Sequence, residues 1–391
     1  MKIILAISLA VLAITTIGTG KVVPKEYCDV DKCKLPNCFC SNIEVPGGLR
    51  TDEVPQIVYL TFDDGITSSN KGFYDELFTD ERKNPNGAKI SATFFVTHEY
   101  NDYTLTHQRY RQGHEIALHS ITHKSDTGYW KELNKTGWEL EVVQQRQTMA
   151  TFARIPESEI VGFRAPFLQG GGDPMYEALN AAGFLYESSR PTRALSPVLW
   201  PYTGDYDTIQ DCQIEPCPTQ SHPGFWVSPL VDMFGTNGEP CAMVDTCQLA
   251  PKTADETFDL LWSNFQNHYT LQRAPFGVYT HAAWVLNPEA PWIKDGYLKF
   301  VDAILQLGDT YIVSIKKGLD WVRNPVTLAD PNLLPESWKD KTIGNGCPLP
   351  FSCVFNSTYL PPDLQPGTRY MQSCAVCPPR YPWLGNPLGR P

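Results

Sequence analysis

Between about residues 56 and 322, short apolar runs alternate with amphipathic stretches, and no other feature of the sequence restricts the fold as much. Candidate strands lie at 57–62, 91–96, 115–118, 160–163, 184–186, 198–200, 276–279 and 311–315, with helix-like segments between most of them, such as 136–152, 173–182, 255–271 and 296–307. In 255–271, Phe258, Leu261, Trp262 and Phe265 recur at helical spacing and mark a core-facing side. Strands alternating with helices make parallel neighbours covered by helices, because each crossover returns the chain to the same end of the sheet. About seven or eight such strands imply an α/β protein, a (β/α) barrel that is distorted or incomplete. In a barrel of this kind, the residues at the carboxyl ends of the strands share one face.

Other segments lack the alternation. Residues 201–254 are rich in Pro, Gly, Asp and Cys and read as a long loop insertion. The segments 21–50 and 325–391 have the same texture and read as wrapping around a barrel core at about 55–322. Twelve cysteines fall in three even clusters: 28, 33, 38 and 40; 212, 217, 241 and 247; 347, 353, 374 and 377. Even clusters imply a disulfide framework and an oxidising compartment, with the pairing left open. Residues 1–20 read as a signal peptide: Lys2, an apolar run too short to span a bilayer, then Gly18 and Gly20. The expectation is a secreted, extracellular domain over 21–391, with glycan acceptor signals at Asn134 and Asn356. A net charge of -11 with no basic run argues against nucleic acid or anionic membranes as partners.

Polar residues follow four of the apolar runs: YLTFDDG with Asp63 and Asp64, EIALHSITH with His119 and His123, IVGFRAPF with Arg164, and GVYTHAAW with His281. Two adjacent acids at the end of a buried strand need a compensating charge. Histidines four apart can hold one metal ion, and two histidines with a carboxylate leave positions open, as catalytic zinc requires. Fe(II) oxygenases use a similar triad. One aspartate then binds the metal, and the other is free to take a proton from water. Arg164 is placed to pair with that base, and His281 to donate a proton to a leaving group. The glutamate of H-E-x-x-H is absent, as are G-x-S-x-G, the Walker A loop and G-x-G-x-x-G.

TFDDG at 61–65, HSITH at 119–123, RAPF at 164–167 and YTH at 279–281, in this order, resemble the motifs of the polysaccharide deacetylases of carbohydrate esterase family four. CDVDKCKLPNCFCSNIEVPGGL, LWPYTGDY, CAMVDTC and RYMQSCAVCPPRYPWLGNP extend the resemblance to arthropod chitin deacetylases over nearly all of the chain after the leader. It implies Asp63 as general base, Asp64, His119 and His123 as ligands of a divalent metal, usually Zn2+, and Arg164 as the group positioning Asp63. It also implies a backbone N–H of Phe167 near the oxyanion, Trp200 lining the sugar site, and His281 as proton donor. Asp205 is the expected carboxylate behind that histidine. Phe167 and Tyr279 depart from the tyrosine and leucine common in the family. Only a few residues separate Gly20 from Cys28, so the subgroup without a chitin-binding module is expected, with gut-associated chitin as a possible setting.

The resulting expectation is a monomeric, metal-dependent chitin deacetylase that releases acetate from GlcNAc units of chitin or its oligomers. Trp200, Trp226 and Trp284 are available to stack on sugar rings or to pack in the core. Other readings are a catalytically weak chitin-binding protein, a deacetylase of another acetylated polysaccharide, and an Fe(II) oxygenase.

Overall fold

A computed structural model describes residues 25–193, 197–334 and 346–391. The expected leader at 1–20 lies outside them. Among the described residues, no helix is long and apolar enough to cross a membrane.

Five strands open the sheet: β1 (Gln56–Asp63), β2 (Thr93–Val96), β3 (Glu115–Leu118), β4 (Gly162–Phe163) and β5 (Tyr186–Glu187). They pair in that order, all parallel. The strand Phe276–His281 joins β1 on its other side, and Thr310–Ile312 pairs with the first residues of β1. The strand His222–Val227 lies parallel to β5, and Tyr202–Gly204 pairs antiparallel beyond it. The nine strands therefore form a curled, mixed sheet whose two end strands, Phe276–His281 and Tyr202–Gly204, do not pair with each other. Pro191–Thr192 and Leu230–Val231 form a small ladder of their own, and the Tyr279 hydroxyl donates to the Pro229 carbonyl at 3.2 Å beside it.

A strand presents alternate residues to opposite faces. In β1, Val58, Leu60 and Phe62 belong to the layer packed under the helices, whereas Ile57 and Tyr59 belong to the cluster inside the barrel with Phe95, Ala117, Tyr186 and Trp226. The outer layer is closed by helices such as α1 (Ser68–Leu77), α2 (Tyr103–Arg111) and Ala254–Tyr269, whose Leu261 and Phe265 are fully buried.

Three expectations are corrected. Residues 198–200 form no strand; the Trp200 N–H donates instead to the Asn42 carbonyl of the N-terminal segment at 3.1 Å, and pairing begins after Pro201. The segment 201–254 is not only a loop, because His222–Val227 is a full member of the sheet. Its Pro223 and Gly224, the latter at φ 73°, break the periodicity that would have revealed it. The helix expected at 136–152 is interrupted by a π-turn at Glu139–Val143.

All six disulfides lie within the clusters seen in the sequence: Cys28–Cys40, Cys33–Cys38, Cys212–Cys217, Cys241–Cys247, Cys347–Cys374 and Cys353–Cys377. The last two tie a hairpin of Phe351–Asn356 and Thr368–Ser373. Asn134 and Asn356 are both exposed.

Candidate active site

Period-two alternation also sets the direction of the polar residues at the strand ends. Asp63 continues the inward set Ile57, Tyr59, Thr61. Residues 119, 164 and 281 continue the inward sets of β3, β4 and Phe276–His281. Asp63 lies opposite His281 in the register of the two strands. The barrel thus brings residues from four separate segments to one rim.

Asp63 and Arg164 are the buried centre of the site, 4% and 0% exposed. The Arg164 guanidinium donates to Asp63 Oδ1 at 2.6 Å, to the Thr61 hydroxyl at 3.0 Å and to the Ser188 carbonyl at 2.7 Å. It also lies over the ring of Phe95 at 4.0 Å and that of Tyr279 at 5.1 Å. The tyrosine at 279 therefore faces the arginine and forms no part of the open cleft. A planar, delocalised cation between two rings is fixed in orientation, and so is the carboxylate it holds.

The ligand atoms of Asp64, His119 and His123 lie within 4.8 Å of one another. The His119 Nδ1–H donates to the Arg164 carbonyl at 2.8 Å, which fixes the tautomer and leaves the Nε2 lone pair free to ligate. Burial, then the neighbouring His123, pushes the His119 imidazole down to about 3. Burial also lowers His123. Neutral imidazoles beside a carboxylate fit a divalent cation, and this donor set suits zinc.

The turn carrying the histidines is strained and pinned. Asp64, Ser120, His123 and Phe167 all have left-handed backbone, at φ 79°, 80°, 43° and 56°. Each such residue costs on the order of 1–2 kcal/mol, so the surroundings must hold it. Gln145 Oε1 accepts the Ser120 N–H at 2.9 Å, and Glu141 accepts the Thr122 N–H at 3.0 Å and its hydroxyl at 2.6 Å. Both supports come from the π-turn and the helix that follows it. A Cβ at Gly65 would stand 3.3 Å from the Tyr100 carbonyl, a tight contact that glycine avoids.

Opposite this set, His281 Nδ1 donates to Asp245 Oδ2 at 2.6 Å, and the same oxygen accepts the His281 backbone N–H at 2.9 Å. Its Nε2 lies 3.9 Å from Asp64. Burial opposes a charge on this ring, but the bond to Asp245 and the carboxylates of Asp63, Asp245 and Asp64 outweigh it and push the imidazole up to about 9. A cleft of about 730 Å³ opens over the site, lined by Asp63, Asp64, Asn70, Glu99, Tyr100, His123, His281 and Leu286 among others.

The structure thus gathers Asp63, Asp64, His119, His123, Arg164 and His281. Phe167 is 47% exposed, with its ring 4.9 Å from that of His123. Trp200 does not line the cleft; it is fully buried inside the barrel, stacked on Trp321 at 6.0 Å. Trp226 is buried there too, and Trp284 packs against the outer core. Asp205 does not reach His281; its Oδ2 accepts the Gly224 N–H at 2.9 Å. The carboxylate behind the histidine is Asp245, on a short turn at Val244–Thr246 between Cys241 and Cys247. A signal for it lay in CAMVDTC, where an acid sits between two cysteines.

The geometry agrees with what comparison with known proteins finds. A sequence model described as polysaccharide deacetylase matches residues 50–186. Chitin deacetylase 8 of Bombyx mori is 40% identical over 371 residues, covering 93% of this chain and 93% of that protein. Chitin deacetylase 1 of the same organism is 37% identical over 378 residues, covering 93% of this chain and 68% of that protein. Among solved structures, a CE4 esterase of Streptococcus mutans aligns at 15% identity and a TM-score of 0.39, covering 66% of this chain and 86% of that one. At 40% identity over nearly the full length of both chains, with the four strand-end motifs meeting at one rim, this chain is a hydrolase and a member of the polysaccharide deacetylase family.

Proposed function

We propose that the chain is a secreted, zinc-dependent chitin deacetylase that hydrolyses the N-acetyl group of GlcNAc units, leaving a glucosamine unit and acetate. The observation that carries this reading is the placement around one cleft of a buried, arginine-held carboxylate, a three-residue donor set and a histidine backed by Asp245. The two chitin deacetylases of Bombyx mori support chitin as the polymer. The six disulfides support an extracellular setting. The segment from 21 onward then acts as one catalytic domain.

A divalent cation held by Asp64, His119 and His123 would supply positive charge that polarises the acetyl carbonyl and acidifies water beside it. Asp63 is the general base. Its Oδ1 is committed to Arg164, so Oδ2 is the oxygen that accepts the proton of the attacking water. His281, protonated at neutral pH, gives the proton of its Nε2 to the amide nitrogen as the C–N bond breaks. Asp245 holds the other ring nitrogen and stabilises the imidazolium. The backbone N–H of Phe167 is proposed as a donor to the developing oxyanion.

The test is acetate release from a series of chitin oligomers with chelator and then with added zinc. Release that stops and returns is the expected result. A metal-loaded protein that releases no acetate from any chitin oligomer would sink the reading.

A further inference from the structure

One wall of the cleft is the loop after β2, residues 97–102, and the C-terminal segment holds that wall in two places. Arg369, on the strand Thr368–Ser373, donates its Nε–H to Glu99 Oε1 at 2.5 Å. Both side chains are mostly buried, 20% and 17% exposed, so this pair is not an idle surface contact. The second hold is His98. Its Nε2–H donates to the Pro382 carbonyl at 2.8 Å, its Nδ1 accepts from the Tyr103 hydroxyl at 2.5 Å, and its ring lies 4.8 Å from that of Tyr381. The hairpin bearing Arg369 is itself closed by Cys347–Cys374 and Cys353–Cys377.

Directly after these two holds in the chain comes Tyr100. It lines the cleft, it is 71% exposed, and its backbone is left-handed at φ 62°. A bulky residue pays steric strain to adopt that conformation, and here the strain turns an aromatic ring outward into the cleft mouth instead of into the core. The Arg369 guanidinium lies over that ring, 5.8 Å from its centroid. A large exposed aromatic at the mouth of a polar cleft, with its backbone clamped, matches what a saccharide requires. The carbon–hydrogen face of a pyranose packs on an aromatic ring, and a rigid ring loses little entropy on contact.

We propose that the C-terminal segment belongs to the substrate-recognition apparatus: Arg369 is a positioning residue that fixes Glu99 and so aims Tyr100, which stacks on a sugar ring adjoining the unit that loses its acetyl group. The proposal rests on the polysaccharide reading above and adds a residue that sets the preferred chain length. Tyr100 is not one of the donor residues Asp64, His119 and His123, nor of the pair Asp63 and His281 assigned to proton transfer. Its contribution therefore falls on binding of longer chains and leaves the chemical step alone.

The experiment compares the parent protein with Tyr100→Ala, Arg369→Met and Arg369→Lys on chitin oligomers of increasing length. In Tyr100→Ala the expected KM rises about five- to tenfold for the longest oligomers, the order expected for loss of one aromatic contact, with kcat within about twofold. The shortest oligomer is unaffected. Arg369→Met shows the same pattern, and Arg369→Lys, which keeps the charge, restores part of it. An unchanged KM in Tyr100→Ala at all lengths, or an equal loss at every length including the shortest, overturns the platform. Backbone hydrogen exchange over 97–102 is measured in parallel without substrate. Faster exchange in Arg369→Met than in the parent supports the positioning role, and equal exchange overturns it. If the parent protein deacetylates none of the oligomers, the chitin reading fails, while the exchange result still decides whether Arg369 holds the loop.

Discussion

Asp245→Asn isolates the charge behind His281. Asp245 Oδ2 accepts both the ring Nδ1–H, at 2.6 Å, and the backbone N–H of His281, at 2.9 Å. An asparagine of the same shape keeps an oxygen in that place, so both hydrogen bonds and the ring orientation survive and only the negative charge is lost. A hydrogen bond to a charged group contributes about 1.5–3 kcal/mol and a neutral one about 0.5–1.5 kcal/mol. The His281 side chain is about a third exposed, so we take the lower part of the difference, roughly 1–1.5 kcal/mol. One pKa unit corresponds to about 1.4 kcal/mol, so the imidazole falls by about one unit from its raised position. The sign follows from the role proposed: a proton donor works below its pKa, so activity present at neutral pH is lost as pH rises through the raised pKa of His281 in the parent. In Asp245→Asn the basic limb of the kcat/KM profile for acetate release moves to lower pH by about one unit. Asp245→Ala removes both hydrogen bonds as well and costs a further loss, within the roughly 10²–10⁴-fold range of a positioned proton donor. A basic limb that stays in place in Asp245→Asn would refute the assignment of Asp245 as the charge partner of the acid.

Other outcomes follow from the same geometry. Arg164→Met leaves the Asp63 carboxylate buried without its partner; such losses cost about 3–5 kcal/mol. A lower denaturation midpoint together with loss of acetate release is expected. Gln145→Leu frees the Ser120 N–H and loosens the turn carrying His119 and His123, so zinc affinity, measured by competition with a chromogenic chelator, should fall about 10–100-fold. Unchanged affinity would mean that the turn holds its shape without that support. Trp200→Ala should lower stability by about 3–5 kcal/mol in denaturant titration, because the ring is core. Its remaining folded fraction should keep the parent KM, which a sugar-stacking Trp200 would not.

How much of this was legible in the sequence differs from residue to residue. Asp63, Asp64, His119, Arg164 and His281 each follow directly on an apolar run, so strand ends and chemistry could be read together. His123 came with His119 through its spacing. Asp245 could not be read the same way. It lies 36 residues before its partner, on a turn of three residues among cysteines, and no periodicity leads up to it. The choice of Asp205 failed because the strand before it, Tyr202–Gly204, has only three residues and a register shift at Thr203/Gly204, so no periodicity in the sequence sets the direction of the next side chain. Trp200 misled for a different reason: an aromatic before a proline reads equally well as rim or core, and burial is decided by residues distant in the chain, here Trp321. The strand His222–Val227 was hidden by its own Pro223 and Gly224.

The alternation that points Asp63 inward works as a parity rule on chain length. Adding or removing one residue between Ile57 and Asp63 would leave β1 as apolar as before, yet it would exchange the inner and outer faces downstream and turn Asp63 toward the helices. Parallel constraints hold in β3 and in Phe276–His281, where the histidines take their direction from the same count. Changes of length are tolerable only where no strand phase is carried forward to the rim. Much of the irregular chain beyond the barrel elements lies in such places, in the turn closed by Cys212–Cys217 and in the C-terminal hairpin. Drift in length in this protein is thus channelled into segments that do not line the cleft, although the hairpin reaches its wall through Arg369, while Asp63, Arg164 and the histidines keep their places.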